Sequence, residues 1–204
     1  MKFNKVQFVY IDIDYLKKLN EVEPEIFFDE DNVNYKEKPH LGILLNNEGR
    51  EYVIPLTSAK EKHKNWKDVT AGWYRIYEII KQDEIREDDI IVDIKNHDIL
   101  NKIKLEERAN YKQRILAVLD IRKMFPVKPG VYTKIKFEIT SKASKKENQK
   151  MALMMKEYAF LLDISNKIEE KASKIYTKQI TKNKVLKYHC DFKKLEKVAD
   201  EYKK

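Results

Sequence analysis

The hydrophobic period of this chain changes once, near Ser144, and that change limits the folds open to it. Before it, short runs of β-branched and aromatic residues alternate with polar ones at every second position, as in strands with one buried face. Residues 6–13, 41–46, 51–56, 73–80 and 114–121 read this way. The linker NEGR at 47–50 supplies hairpin-turn chemistry between two of them. Residues 90–94 read as a strand or as the start of a packed turn, and 131–139 as a strand or a bent connection. A short helical turn at 14–20, with Asp14 as its cap, follows the first strand, and residues 98–112 look helical. Residues 23–40 are acidic, hold two prolines and lack a period, which predicts a loop.

After Ser144 the apolar residues recur at three and four. Met151, Met154, Met155, Tyr158, Leu161, Leu162, Ile168, Ala172 and Ile175 mark one long amphipathic helix. A last helix is predicted at 192–202, with Asp191 as N-cap and Leu195, Val198 and Ala199 on its buried face. Strands followed by helices predict an α+β fold, a mostly antiparallel sheet with helices packed on it. The 204 residues suffice for one domain, 1–204, whose helical part from about 142 is basic.

Charge is unevenly placed. The chain has 42 Lys or Arg and 34 Asp or Glu, a formal +8, with 22 basic and 24 acidic residues in 1–127 but 20 and 10 in 128–204. That excess, carried by lysine, suits either a solvated helical surface or attraction to phosphates without base reading. A single cysteine, Cys190, excludes an intramolecular disulfide and agrees with a reducing interior. No segment has the apolar length of a membrane span and the N-terminus does not look like a signal peptide, so the expected location is the cytoplasm. His40, His63, His97 and His189 lack metal-ligand spacing, there is no CxxC pair, and the four glycines form no phosphate-cradling loop. No metal and no cofactor is expected.

The stretch YVIPLTSAKEKHK at 52–64 is the unusual one. Pro55 lacks an amide donor, so the strand is expected to end, bulge or lie at an edge there, leaving Thr57, Ser58 and Lys60 at a strand terminus. Two hydroxyls and an ammonium either cap a surface helix or donate to an anion. Cutting RNA without a metal needs donors for the phosphate oxygens and a group that takes the ribose 2′-proton, and lysines and hydroxyls supply both. Trp66, Trp73 and Tyr74 stack on bases or fill the core.

Tyr15-Leu16-Lys17-Lys18-Leu19, then Lys38-Pro39-His40-Leu41-Gly42-Ile43-Leu44-Leu45, then Tyr52-Val53-Ile54-Pro55-Leu56-Thr57-Ser58-Ala59-Lys60 together resemble the toxins of type III toxin-antitoxin systems, the ToxN/AbiQ family. The closing run Cys190-Asp191-Phe192-Lys193-Lys194-Leu195-Glu196 is similar too, whereas 81–112 has no match. The resemblance implies a twisted antiparallel sheet with flanking helices, like the small mRNA-cleaving toxins. It implies a metal-independent endoribonuclease of abortive phage defence that acts on cellular or phage RNA. Its inhibitor would be a repeated pseudoknot RNA that it cuts from a precursor, joined with it in a closed ring of protein and RNA. Carried over by position, the catalytic residues would be Tyr15, Lys38, Thr57 and Ser58, with Tyr35, Lys60, Lys62, His63 and Lys64 as RNA contacts. The rival readings are a non-catalytic RNA-binding module and an interaction protein that dimerises through its methionine-bearing helix.

Overall fold

One strand, Glu51–Ser58 (β3), joins two halves of a sheet. The structure, a computed structural model, describes residues 1–29 and 38–203. Over its first half β3 lies between Phe125–Val127 (β7) and His40–Leu45 (β2), with Val53 opposite Phe125 and Ile54 opposite Leu41. Beyond Pro55 it pairs with Tyr111–Asp120 (β6), matching Leu56 to Leu119, Thr57 to Val118 and Ser58 to Ala117. The expectation that the strand gives out at Pro55 therefore needs correction. The missing amide falls where one ladder hands over to the next, and the strand runs three residues further.

Lys2–Ile11 (β1) and Tyr132–Lys134 (β8) extend the sheet beyond β2, and Trp73–Lys81 (β4) extends it beyond β6, with Ile90–Val92 (β5) also on β6. The order is β4-β6-β3-β2-β1-β8 and every pairing is antiparallel. Only three residues of the 131–139 segment pair, so it is the bent connection.

Helix Ile13–Val22 (α1) is capped by Asp12, whose carboxylate accepts from the amides of Asp14 and Tyr15, so the cap lies two residues before the predicted one. The predicted helix at 98–112 is instead the single turn His97–Leu100 (α2), a 3₁₀ stretch at Leu105–Asn110 and the start of β6. The long helix divides at Ile164 into Lys145–Asp163 (α3) and Ser165–Lys182 (α4). Ser144 and Glu147 close a capping box at the start of α3. Helix Phe192–Glu201 (α5) is capped by Asp191 as expected.

The core fills from both sides of the period change. Phe8, Tyr15, Tyr52, Phe125 and Phe192 are fully buried, together with Met154, Leu161 and Ile168 from the helices. Phe8 meets Tyr158 edge-on at 5.7 Å, which seats α3 on β1. Among the described residues no helix is long and apolar enough to cross a membrane.

Candidate active site

Lys38 stands two residues before the first paired residue of β2, and its surroundings decide its chemistry. His40 is 2 % exposed, its ring edge-on to Phe125 at 5.4 Å and its Nδ1 3.1 Å from the Lys38 carbonyl. Burial, then the Lys38 charge, hold the His40 pKa down to about 3, so the ring is neutral. A neutral imidazole facing a carbonyl at Nδ1 carries its proton there, and the ring thereby fixes the backbone from which the Lys38 side chain projects. The Lys38 ammonium lies 5.0 Å from the centre of the Phe27 ring. Burial, and secondarily the charge of Lys60, bring its pKa down to about 8.

The cavity beside Lys38 has a volume of about 280 Å³. Pro55 and Phe125 give it apolar walls, while Thr57, Lys60 and Lys62 line it alongside Lys38. The two carboxylates on its lining are engaged elsewhere: Glu25 pairs with Lys123, and Asp120 takes a two-pronged bond from Arg122. Lys60 and Lys62 make no ion pair among the described residues. One hydroxyl thus shares a small apolar-walled cleft with Lys38 and with two lysines, Lys60 and Lys62, that make no ion pair among the described residues, an arrangement suited to an anion.

Ser58 lies elsewhere. Adjacent residues of a strand point to opposite faces, and β3 continues through Ser58, so Thr57 faces the Lys38 cleft while Ser58 lines a second cavity with Glu78, Arg114 and Lys156. The sequence expectation that both hydroxyls converge with Lys38 is corrected accordingly.

Two further expectations change. Tyr15 is 0 % exposed and its phenol donates to the Pro126 carbonyl at 2.8 Å, so its ring belongs to the core and does not line the cleft. His63 is 1 % exposed; its Nδ1 accepts from the Lys60 amide at 3.1 Å, its ring packs against Trp66 at 4.8 Å, and its carbonyl accepts from Arg75. It shapes the turn that carries Lys60 and Lys62 and does not itself contact the cleft. Lys64 pairs with Glu61 at 2.9 Å. Tyr35 lies outside the described residues. Tyr74 is buried, while Trp66 and Trp73 are half-buried and packed against each other at a tilt of 46°, with centroids 4.8 Å apart.

The corrected place of Tyr15 has a measurable consequence. Tyr15→Phe removes one buried hydrogen bond and is expected to cost about 1 kcal/mol in urea unfolding with RNA cleavage unchanged. A large fall in cleavage at unchanged stability would return Tyr15 to the active site.

The model of the family described as toxin ToxN, type III toxin-antitoxin system, matches residues 7–200. The chain belongs to the ToxN family. One relative is the endoribonuclease ToxN of Bacillus thuringiensis subsp. kurstaki, 28% identical over 205 residues that cover 97% of this chain and 84% of the relative. The endoribonuclease ToxN of Pectobacterium atrosepticum is 33% identical over 78 residues, 38% of this chain and 43% of that one. Among solved structures, the lactococcal anti-phage endoribonuclease AbiQ superposes with a TM-score of 0.66 at 22% identity over 97% of each chain. A bacterial type III system with selective toxin inhibition by a non-coding RNA pseudoknot gives 0.63 at 22% over 98% of each chain. At such identities these structures establish the ToxN fold, an open antiparallel sheet with flanking helices, and with it the fold class read from the sequence.

No group of three or more His, Cys, Asp or Glu side chains among the described residues is placed to hold a metal ion. Glu25, Asp120 and Lys123 at the cleft carry no signal in the sequence, because they reach it from separate parts of the chain. Only the spacing of Lys38 and His40, alternate residues running into a strand, hinted that their side chains would share a face.

Proposed function

We propose that this chain is an endoribonuclease toxin of a type III toxin-antitoxin system, acting as one domain, residues 1–204, in the cytoplasm where its RNA lies. Membership of the ToxN family and likeness to named endoribonucleases over nearly the whole chain support the class. The observation that carries the mechanism is the cleft itself: Lys38 with its lowered pKa, beside Thr57, Lys60 and Lys62. The reaction needs no metal. Neutral Lys38 takes the proton of a ribose 2′-hydroxyl, the 2′-oxygen bonds to the adjacent phosphorus, and the bond to the 5′-oxygen breaks, that oxygen taking a proton from solvent. The products are a 2′,3′-cyclic phosphate and a 5′-hydroxyl. Lys38 becomes an ammonium as charge builds on the phosphorane, while Thr57 donates to a non-bridging oxygen and Lys60 and Lys62 hold the flanking phosphates.

Ser58 enters through the path of the substrate. An RNA strand that crosses the end of β3 meets Thr57 on one face and Ser58 on the other. Thr57→Ala is expected to lower cleavage by about 10- to 100-fold, a transition-state donor being lost. Ser58→Ala lowers it too if the strand crosses there, whereas full activity in that variant would confine the substrate to the Lys38 side.

The inhibitor of this reading is a small pseudoknot RNA, one unit of a repeated precursor that the toxin itself cuts, and protein and RNA assemble as a closed ring. Purified protein incubated with unstructured RNA and excess chelator tests the enzyme. Cutting that persists and leaves a cyclic phosphate supports it, while binding without cutting would make the chain a non-catalytic RNA-binding module. A tandem array of short repeats upstream of the coding region would support the RNA inhibitor.

A further inference from the structure

A third cavity, about 820 Å³, lies on the other side of the Asp120–Arg122 pair from the Lys38 cleft. Asp120 faces the cleft and Arg122 faces this cavity, so one bidentate ion pair is the wall between the two. Its far side is α4. Lys171, Lys174, Lys178 and Lys182 line it from positions i, i+3, i+7 and i+11, a single stripe about 16 Å long. Beyond α4, Asn183 adopts a left-handed conformation (φ 46°), and the chain turns so that Lys184 joins the same lining.

These cations fall into two sets. Lys171 is occupied: its ammonium donates to the Thr70 carbonyl and sits 4.5 Å over the Tyr74 ring. Lys174 pairs with Glu170. Lys178, Lys182 and Lys184 are exposed and make no ion pair among the described residues. Opposite them, the Arg122 guanidinium lies 4.7 Å from the Trp73 ring. A Cβ on Gly72 would come within 2.6 Å of the Arg122 Cδ, so glycine leaves room for the arginine side chain at this turn. Asp120 already offsets the Arg122 charge, which leaves its planar face as the group this wall presents. Such planes receive unpaired bases.

We infer that this cavity is a subsite for single-stranded RNA next to the cleavage cleft, with Lys178, Lys182 and Lys184 holding successive phosphates and the Arg122–Trp73 pair receiving a base. The inference rests on the nuclease reading for the direction of the strand, but its test is separate. Binding is measured in the Lys38→Ala background, so that RNA is not consumed, to an unstructured RNA of about 20 nucleotides, one of about 4, and a duplex of the longer length. The combined Lys178→Ala, Lys182→Ala and Lys184→Ala variant is expected to weaken binding of the long single strand by about 10- to 100-fold and to reduce the slope of log affinity against log salt by about 2. The short RNA, filling the cleft alone, keeps its affinity, and duplex binding changes by less than about threefold. A control with the same loss of charge, Lys134→Ala with Lys136→Ala and Lys142→Ala, keeps the parent slope to within about one. An unchanged slope in the first variant, an equal loss in the control, or an equal loss on the duplex overturns the subsite. Should the parent protein cut no RNA while the first variant still loses single-strand binding, the nuclease reading fails and the subsite stands.

Discussion

Replacing Lys38 with alanine is expected to lower RNA cleavage by about 10²- to 10⁴-fold, the range that a positioned proton acceptor supplies, and to abolish growth arrest on expression. Stability should not fall with it. The folded protein holds the Lys38 pKa near 8, against an ordinary value of 10.5, because burial and Lys60 both disfavour the ammonium. Between those two values the unfolded chain binds more protons than the folded one, so this group's contribution to stability rises with pH across that window and is unfavourable below about pH 8. Removing the ammonium removes that unfavourable contribution, and urea unfolding at neutral pH should leave the midpoint of Lys38→Ala at or above that of the parent.

The same lysine sets the shape of the pH profile. A base works when unprotonated, so kcat/KM is expected to rise with pH to an apparent pKa near 8 and then level off. Lys38→Arg keeps a cation at the position but cannot give up its proton, and should lose activity as alanine does, without the rising limb. An arginine variant of near-parent activity, or a profile that falls through pH 8, would mean that Lys38 acts only as a fixed charge on the phosphorane.

How far the sequence reveals this arrangement depends on the kind of signal each residue carries. The hairpin of β2 and β3, the strand β4 and the capped helix α5 follow from alternation, turn residues and an N-cap, all of them local. The helix expected at 98–112 failed because Ile99, Leu100 and Ile103 imitate a helical period yet become only half-buried, and Leu105, out of step with them, is 76 % exposed. The break at Ile164 has no local breaker, since neither Gly nor Pro lies near it. At the cleft, Lys38 and Thr57 were legible as a lysine and a hydroxyl in a family pattern. The separation of Thr57 from Ser58 is hidden by Pro55: a strand that ends near it carries no alternation into the next residues, whereas β3 runs on through Ser58. Tyr15 shows the reverse. As an aromatic one turn into a capped amphipathic helix it was a core position by period, and the resemblance alone had given it a catalytic task.

Phe192→Ala is expected to cost about 3–5 kcal/mol, a large part of the roughly 5–15 kcal/mol available to a folded domain. The ring is fully buried, stacked on Tyr176 at 5.7 Å and edge-on to Tyr52 at 6.2 Å, so it joins α5 both to α4 and to β3, the strand that carries Thr57. Around it Gln179 acts as a clamp, donating to the Cys190 carbonyl at 2.9 Å and accepting from the Phe192 amide at 2.8 Å. The cavity left by alanine cannot collapse without disturbing those bonds, which places the loss toward the upper end of the range. Both tryptophans flank or begin β4, whereas far-UV ellipticity is dominated by the helices. If residues 1–204 are one cooperative unit, the two signals will shift together to the same lower urea midpoint. Separate midpoints, with the helices melting before the tryptophan signal moves, would make the basic helical part a unit of its own and would leave the Lys38 cleft standing without it.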